Sequence, residues 1–155
     1  METNYKGQID MIDNLIIMNN DRVEGYELAS KETLQHDLKR IFDKFAQQSR
    51  GFATVLGAEI RKLGEEASTA TSTSGKFHRA WMEIKTTITG KDHQATLDSC
   101  EYGEDVIIEA YNDAIESDAT LTSDLMALVL SQKKELKEAH NTIKLLRNTQ
   151  TIGIA

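Results

Sequence analysis

The sequence contains no proline. The residue that most reliably breaks a helix is missing throughout, and Ala, Leu, Ile, Glu and Lys are abundant, so an all-α chain is the expected class. Cysteine is nearly absent: Cys100 is the only one. No internal disulfide can form, and the place of Cys100 on an apolar helix face predicts a buried, unreactive thiol in a reducing compartment. Positive charge is in short supply too. Eighteen Lys and Arg stand against 25 Asp and Glu, a formal net charge of -7, which repels a phosphate backbone at long range. No basic stripe offsets that repulsion, so nucleic acid is not an expected partner. Long apolar runs are missing as well. Met1 to Lys6 lack the charged-then-apolar pattern of a secretion signal, and no segment approaches the length that crosses a bilayer. The expectation is a soluble, cytoplasmic protein with no membrane contact.

What is present is helical periodicity. At 155 residues the chain is long enough to bury a core without disulfides or a structural metal, and residues 1–155 are read as a single domain. Ile9, Ile12, Leu15, Ile16, Val23, Tyr26 and Ala29 predict a first helix from about Gln8 to Ser30. Leu34, Leu38, Ile41, Phe42, Phe45, Phe52, Leu56 and Leu63 predict a second, stopping at Gly64. Periodicity alone does not separate the two, because the stripe passes through Ser30 to Leu34 and Leu38 in phase. A turn is placed at Ser30–Thr33, where Thr33 could cap the second helix and Asp37 would stand in its first turn.

Residues 65–75, rich in Ser and Thr, read as a long loop. A short helix follows, with Phe77, Trp81, Ile84 and Ile88 on one side and Thr89 and Gly90 ending it. Asp92 then caps a third main helix from His93 to about Ser117. Thr120 or Thr122 opens a fourth, carrying Leu125, Leu128, Val129, Leu136, Ala139, Ile143 and Leu146. The tail from about 148 to 155 loses the period and is expected to fray. Two helix pairs, each with a short internal turn and joined by a long connection, describe a four-helix bundle with a crossover that carries an extra short helix.

One residue is out of place in this pattern. Glu104 interrupts the apolar stripe Leu97, Cys100, Ile107, Tyr111 and Ala114 of the third helix. The other helices also carry polar residues near their midpoints: Asn19 or Asn20, Gln48 and Ser49, and Glu135 with Gln132 a turn away. These predict a polar layer across the bundle, with Glu24, Glu27, Glu101 and His140 on its flanks. A buried carboxylate needs a hydrogen-bonding partner, a metal or a proton.

Bundle cores hold pairs of iron or manganese ions through a Glu from each of two helices and a Glu-x-x-His from each of the others. The residues three before His36, His78, His93 and His140 are Thr33, Gly75, Gly90 and Lys137, so that motif does not occur. A reduced metal set of Glu24, Glu101, Glu104 and His140 remains as the alternative, with Gln132 supporting it from behind and Fe or Mn as the ion. The favoured reading is a metal-free Asn/Gln/Glu layer that fixes helix register. No phosphate-binding Gly loop, nucleophile elbow or zinc-type Cys/His spacing is present, so catalysis by those routes is not expected and the reading leans away from an enzyme, with an Fe or Mn oxidase-like or metal-storage protein as the alternative.

Several short motifs, taken in order, resemble a known family. They are Glu24-Gly25-Tyr26, His78-Arg79-Ala80-Trp81, Thr89-Gly90-Lys91-Asp92, Cys100-Glu101-Tyr102-Gly103-Glu104-Asp105 with Tyr111, then Gln132 and His140 to Arg147. Together they resemble a bacterial family of uncharacterised four-helix-bundle proteins, a domain of unknown function in the ferritin-like superfamily, over about Ile9 to Asn148. The resemblance implies a ferritin-like fold, the turn near Ser30 and a bacterial cytoplasmic setting, but no activity. Ala80 stands where glycine is usual, and Asn141 and Asn148 where the family tends to have Asp. The expected role is that of an accessory or stress-related protein. A homodimer is compatible with it, as is an interaction module presenting its acidic outer face or the short helix.

Overall fold

Ile12, Leu15, Ile16, Asn19, Tyr26 and Ala29 recur at three and four residues, and α1 (Tyr5–Glu32) lays all of them inside. The computed structural model describes residues 5–72, 78, 79, 81–84, 86, 93–117 and 121–153. Three more long helices follow: α2 (His36–Lys62), α3 (His93–Glu116) and α4 (Ser123–Gly153). The described residues are overwhelmingly helical and include no strand. None of their helices is long and apolar enough to cross a membrane.

The helix ends show which sequence signals were read correctly. α1 and α2 are separate, as the placed turn requires, but the break lies at residues 33–35. Ser30 to Glu32 complete the last turn of α1, and Thr33 N still donates to the Ala29 carbonyl at 3.0 Å. Thr33 does not cap α2. Gln35 holds that position without a side-chain hydrogen bond, while the Thr33 hydroxyl accepts from Gln35 N at 3.3 Å and tightens the link. Leu34, in phase with the apolar stripe, is 76% exposed there. Asp37 does stand in the first turn of α2.

The other end of α2 follows the glycine rule. Gly64 has φ 87°, a left-handed conformation that costs a glycine little. Gly64 N bonds the Arg61 carbonyl and Glu65 N the Ile60 carbonyl, the paired bonds of a Schellman ending. Thr122 opens α4, its hydroxyl accepting from Leu125 N at 3.2 Å. That helix continues to Gly153, beyond Arg147 where the apolar period fades. The assignments made for Asp92, Thr120, Phe77, Ile88, Thr89 and Gly90 fall outside the described residues.

Side-chain pairs give the direction of each helix. Ser30 meets Lys39 and Asp43 while Asn19 meets Ser49, so α1 and α2 are antiparallel. Tyr111 meets Gln132 and Glu101 meets Arg147, so α3 and α4 are antiparallel too. Met11 lies against Ser117, Asn19 against Tyr111 and Tyr26 against Glu104, which makes α1 and α3 run oppositely as well. The order of directions is therefore up, down, down, up. All four helices supply the buried core, from Ile12 and Tyr26 through Phe42 and Leu56 to Ile107, Val129 and Ile143.

Because α2 and α3 run the same way, the chain between them must travel the length of the molecule. It does so across α1. Ser68 N is held by Asp13, Asn20 donates to the Ser68 and Ala70 carbonyls, and Asp21 takes both the amide and the hydroxyl of Ser72. Helical residues 78, 79 and 81–84 follow, burying Trp81 and Ile84. Trp81 wedges between α1 and α3 at Gly25 and Gly103. A Cβ on Gly103 would lie 3.0 Å from its ring, and one on Gly25 would overlap it.

Candidate functional site

Behind Trp81, the polar layer is built around an ion pair that sequence reasoning missed. Arg22 lies one turn from Asn19 and one from Tyr26, in phase with the buried face of α1. Its side chain and that of Glu104 are both 0% exposed, and Arg22 Nε is 2.7 Å from Glu104 Oε1. Nη2 reaches Oε2 at 3.2 Å, making the pair two-pronged. The Tyr26 hydroxyl donates to Oε1 at 2.8 Å. Tyr26 and Phe45 stand with their ring centroids 5.2 and 5.5 Å from the guanidinium carbon.

The remaining donors of Arg22 start a chain through the other helices. Nη1 donates to the Ser49 hydroxyl at 2.8 Å and to the Phe45 carbonyl at 3.4 Å. Ser49 donates to Asn19 Oδ1, Asn19 Nδ2 to the Tyr111 hydroxyl, and Tyr111 to Gln132 Oε1. Gln132 Nε2 ends it on the Phe52 carbonyl at 3.5 Å. Every long helix contributes. Each group buried here has a partner, which is what makes a polar core affordable.

Burial sets the proton chemistry of this layer. It works against the Arg22 charge, yet Glu104 beside it holds the guanidinium protonated above its ordinary range. Burial, reinforced by the negative charge of Glu104, pushes the Tyr26 phenol well above its usual value. Burial also raises Tyr111. Cys100, fully buried beside the pair, is pushed up by burial and then by Glu104, so the nucleophilic thiolate is disfavoured. The unreactive buried thiol read from the sequence fits this environment.

The residues named from the sequence divide sharply. Glu104, Asn19, Ser49 and Gln132 belong to the layer. Asn20 instead ties the crossover to α1, Gln48 is only partly buried, and Glu135 is exposed. Of the four named metal ligands, only Glu101 and His140 come together, at 3.7 Å on the seam between α3 and α4. Asp105 lies 2.7 Å from His140 there, and Arg147 pairs with Glu101. Glu24 is exposed on α1, and Glu104 faces Arg22. Among the described residues no group of three or more His, Cys, Asp or Glu side chains could hold a metal ion. The described donor set does not fit the two-ion centre of a carboxylate bundle.

Open space lies outside the layer. A cavity of about 390 Å³ lies between α1 and α3 near Met11 and Met18. One of about 440 Å³ lies between α2 and α4 beside Phe52 and Gln132. A third, about 230 Å³, adjoins Trp81 and is lined by Asp21, Glu24 and His78. Burial pushes the Asp21 carboxyl upward there, against Ser72 hydrogen bonds and the nearby His78, which pull it down.

A family model described as a domain of unknown function, DUF2383, matches residues 8–117. That span takes in all but the first three residues of α1, then α2, the crossover and α3, and so every layer residue except Gln132. No curated protein matches the chain.

Proposed function

The chain belongs to the DUF2383 family, a domain of unknown function, and we infer that it is a non-catalytic ferritin-like bundle whose interior is held by a guanidinium rather than a metal. The observation that carries this reading is the Arg22–Glu104 pair, 2.7 Å apart and wholly buried. In a carboxylate bundle the inward glutamates neutralise a cation. Here Arg22 is that cation, covalently part of α1. It fills the donor requirement of Glu104 while Tyr26 supplies another hydrogen bond.

The up-down-down-up order with a crossover between the second and third helices supports the ferritin-like assignment. A layer with its acceptors filled by Arg22, Tyr26, Asn19 and Tyr111 has no open position for a substrate oxygen or a second cation. The role is then that of an accessory or stress-related bacterial protein, and a reducing cytoplasm suits a chain whose single thiol is buried.

Metal analysis of protein purified without chelator tests this. The expected result is substoichiometric iron and manganese, unchanged in Glu104→Gln. Stoichiometric metal that Glu104→Gln or His140→Ala removes would overturn the reading and restore the set Glu24, Glu101, Glu104 and His140.

A further inference from the structure

The cleft of about 440 Å³ between α2 and α4 is within the range of roughly 300–1,000 Å³ that small-molecule sites occupy. Phe52, Val55 and Leu128 make its wall apolar. Val55 is 45% exposed, a branched apolar side chain left in water. Gly51 adds bare backbone. A Cβ placed on it would find nothing within 4 Å, so no side chain projects from α2 at that point.

Two carboxamides from facing helices, Gln48 of α2 and Gln132 of α4, also line the cleft. Neither has its hydrogen bonds filled. Gln48 is partly buried as a residue, but its Oε1 is shielded from solvent and accepts from no described residue. Such an oxygen is costly to leave without a donor. Gln132 Nε2 carries two protons and, among the described residues, donates only to the Phe52 carbonyl, over 3.5 Å. The cleft thus holds an unfilled acceptor on one helix and an unfilled donor on the other, and the two do not meet. Its mouth is balanced in charge. Lys44 and Glu135 line it, both exposed and of opposite sign, so no net field draws an ion there.

We propose that this cleft binds a small, flat, uncharged molecule carrying an N–H donor beside a C=O acceptor on one edge, an aromatic carboxamide or lactam. Rotation about the last torsion of Gln48, which is broad and soft, brings Oε1 round to the ligand donor. The second N–H of Gln132 meets the ligand acceptor, and the ring lies against Gly51, Phe52 and Val55. Gln132 also takes the Tyr111 hydroxyl at the far end of the chain that starts at Arg22. A ligand in the cleft therefore touches the polar layer without entering it.

Titrating benzamide into the isotope-labelled full chain, followed by NMR, tests this. The expected result is saturable shifts at the backbone amides of Gln48 and Gly51 and at the Gln132 side chain by about 10 mM, the weak range of a one-ring fragment. N,N-dimethylbenzamide keeps the ring and the carbonyl but has no N–H. It should bind at least about fivefold more weakly, the effect of one net hydrogen bond. Gln48→Met keeps a long, flexible side chain and removes the acceptor. It should equalise the two probes without lowering the melting temperature, since it also removes an unfilled buried group. Gly51→Leu puts a side chain where the backbone leaves room for one, and should abolish binding of both probes. No saturable shift at these positions overturns the proposal and leaves water as the bridge between Gln48 and Gln132. Equal affinity of the two probes for the wild-type chain, a preference that survives Gln48→Met, or binding that survives Gly51→Leu overturns it as well.

Discussion

Glu104 and Arg22 have no solvent to fall back on: both are fully buried, and each is the main counter-charge of the other. Removing one partner strands the other. Glu104→Ala should therefore cost about 3–5 kcal/mol in urea unfolding, as should Arg22→Ala. Replacing both with apolar residues, Arg22→Met with Glu104→Leu, should recover a large part of the loss, because no lone charge then remains inside. Single substitutions costing under about 1 kcal/mol would mean that water reaches the pair. Glu104 was legible in the sequence because a carboxylate interrupted an otherwise apolar stripe. Arg22 was not, although it has the same phase. Long basic side chains usually run their stems along apolar surface and keep the charge in water, so an Arg at the edge of a stripe reads as a surface residue. Tyr111 was counted as apolar, and its hydroxyl turned out to link three helices.

Among the elements, the crossover depends most on small residues. Trp81 packs edge-on against Tyr26, ring centroids 5.1 Å apart, only because Gly25 and Gly103 leave room for the indole. Gly25→Ala should displace the ring and cost about 1–3 kcal/mol by overpacking, with a change in tryptophan fluorescence. Gly51, in the middle of α2, is the control: nothing lies within 4 Å of a Cβ there. Gly51→Ala should stabilise by about 0.5–1 kcal/mol through helix propensity alone. A penalty at Gly51 as large as that at Gly25 would remove the special role of the wedge. The loop is tied down by Asp21, whose folded pKa is raised above its ordinary 3.8 mainly by burial. The folded state thus keeps this proton to higher pH than the unfolded chain does. Its contribution to stability is largest below 3.8 and declines as pH rises through the raised folded value. Asp21→Asn should remove that decline, so the melting temperature of the variant relative to wild type should rise across the same interval. A difference that is flat or falls with pH would contradict the assignment. Composition marked residues 65–75 as a loop, and the described part of it, 65–72, is non-helical, but its route was not legible, because its anchors Asp13, Asn20 and Asp21 look like ordinary solvent-facing residues of α1.

For the whole molecule, the four long helices and the long connection were readable from period, glycine and spacing, since every apolar stripe had to find a core. What was not readable was the pairing of charges, which depends on rotation of each helix about its axis. Glu101 and His140 met on an outer seam, Glu24 faced outward, and the acids of α3 ended beside a groove while the lysines of α4 pointed away from the core. A net charge of -7 therefore hides an uneven distribution of acids and lysines over the helices.

The chain of hydrogen bonds behind Trp81 also has a direction. It starts at a guanidinium, which can only donate, and ends at the Phe52 carbonyl, which can only accept. Every hydroxyl and amide between them is thereby committed to one orientation, with no mirror-image arrangement of equal energy to exchange with. Two of its members, Asn19 and Gln132, are side-chain amides, which hold their protons instead of handing them on. The interior is ordered like a wire but does not conduct like one, and the buried Tyr111 hydroxyl, which would suit proton transfer elsewhere, is here confined to linking helices at one height.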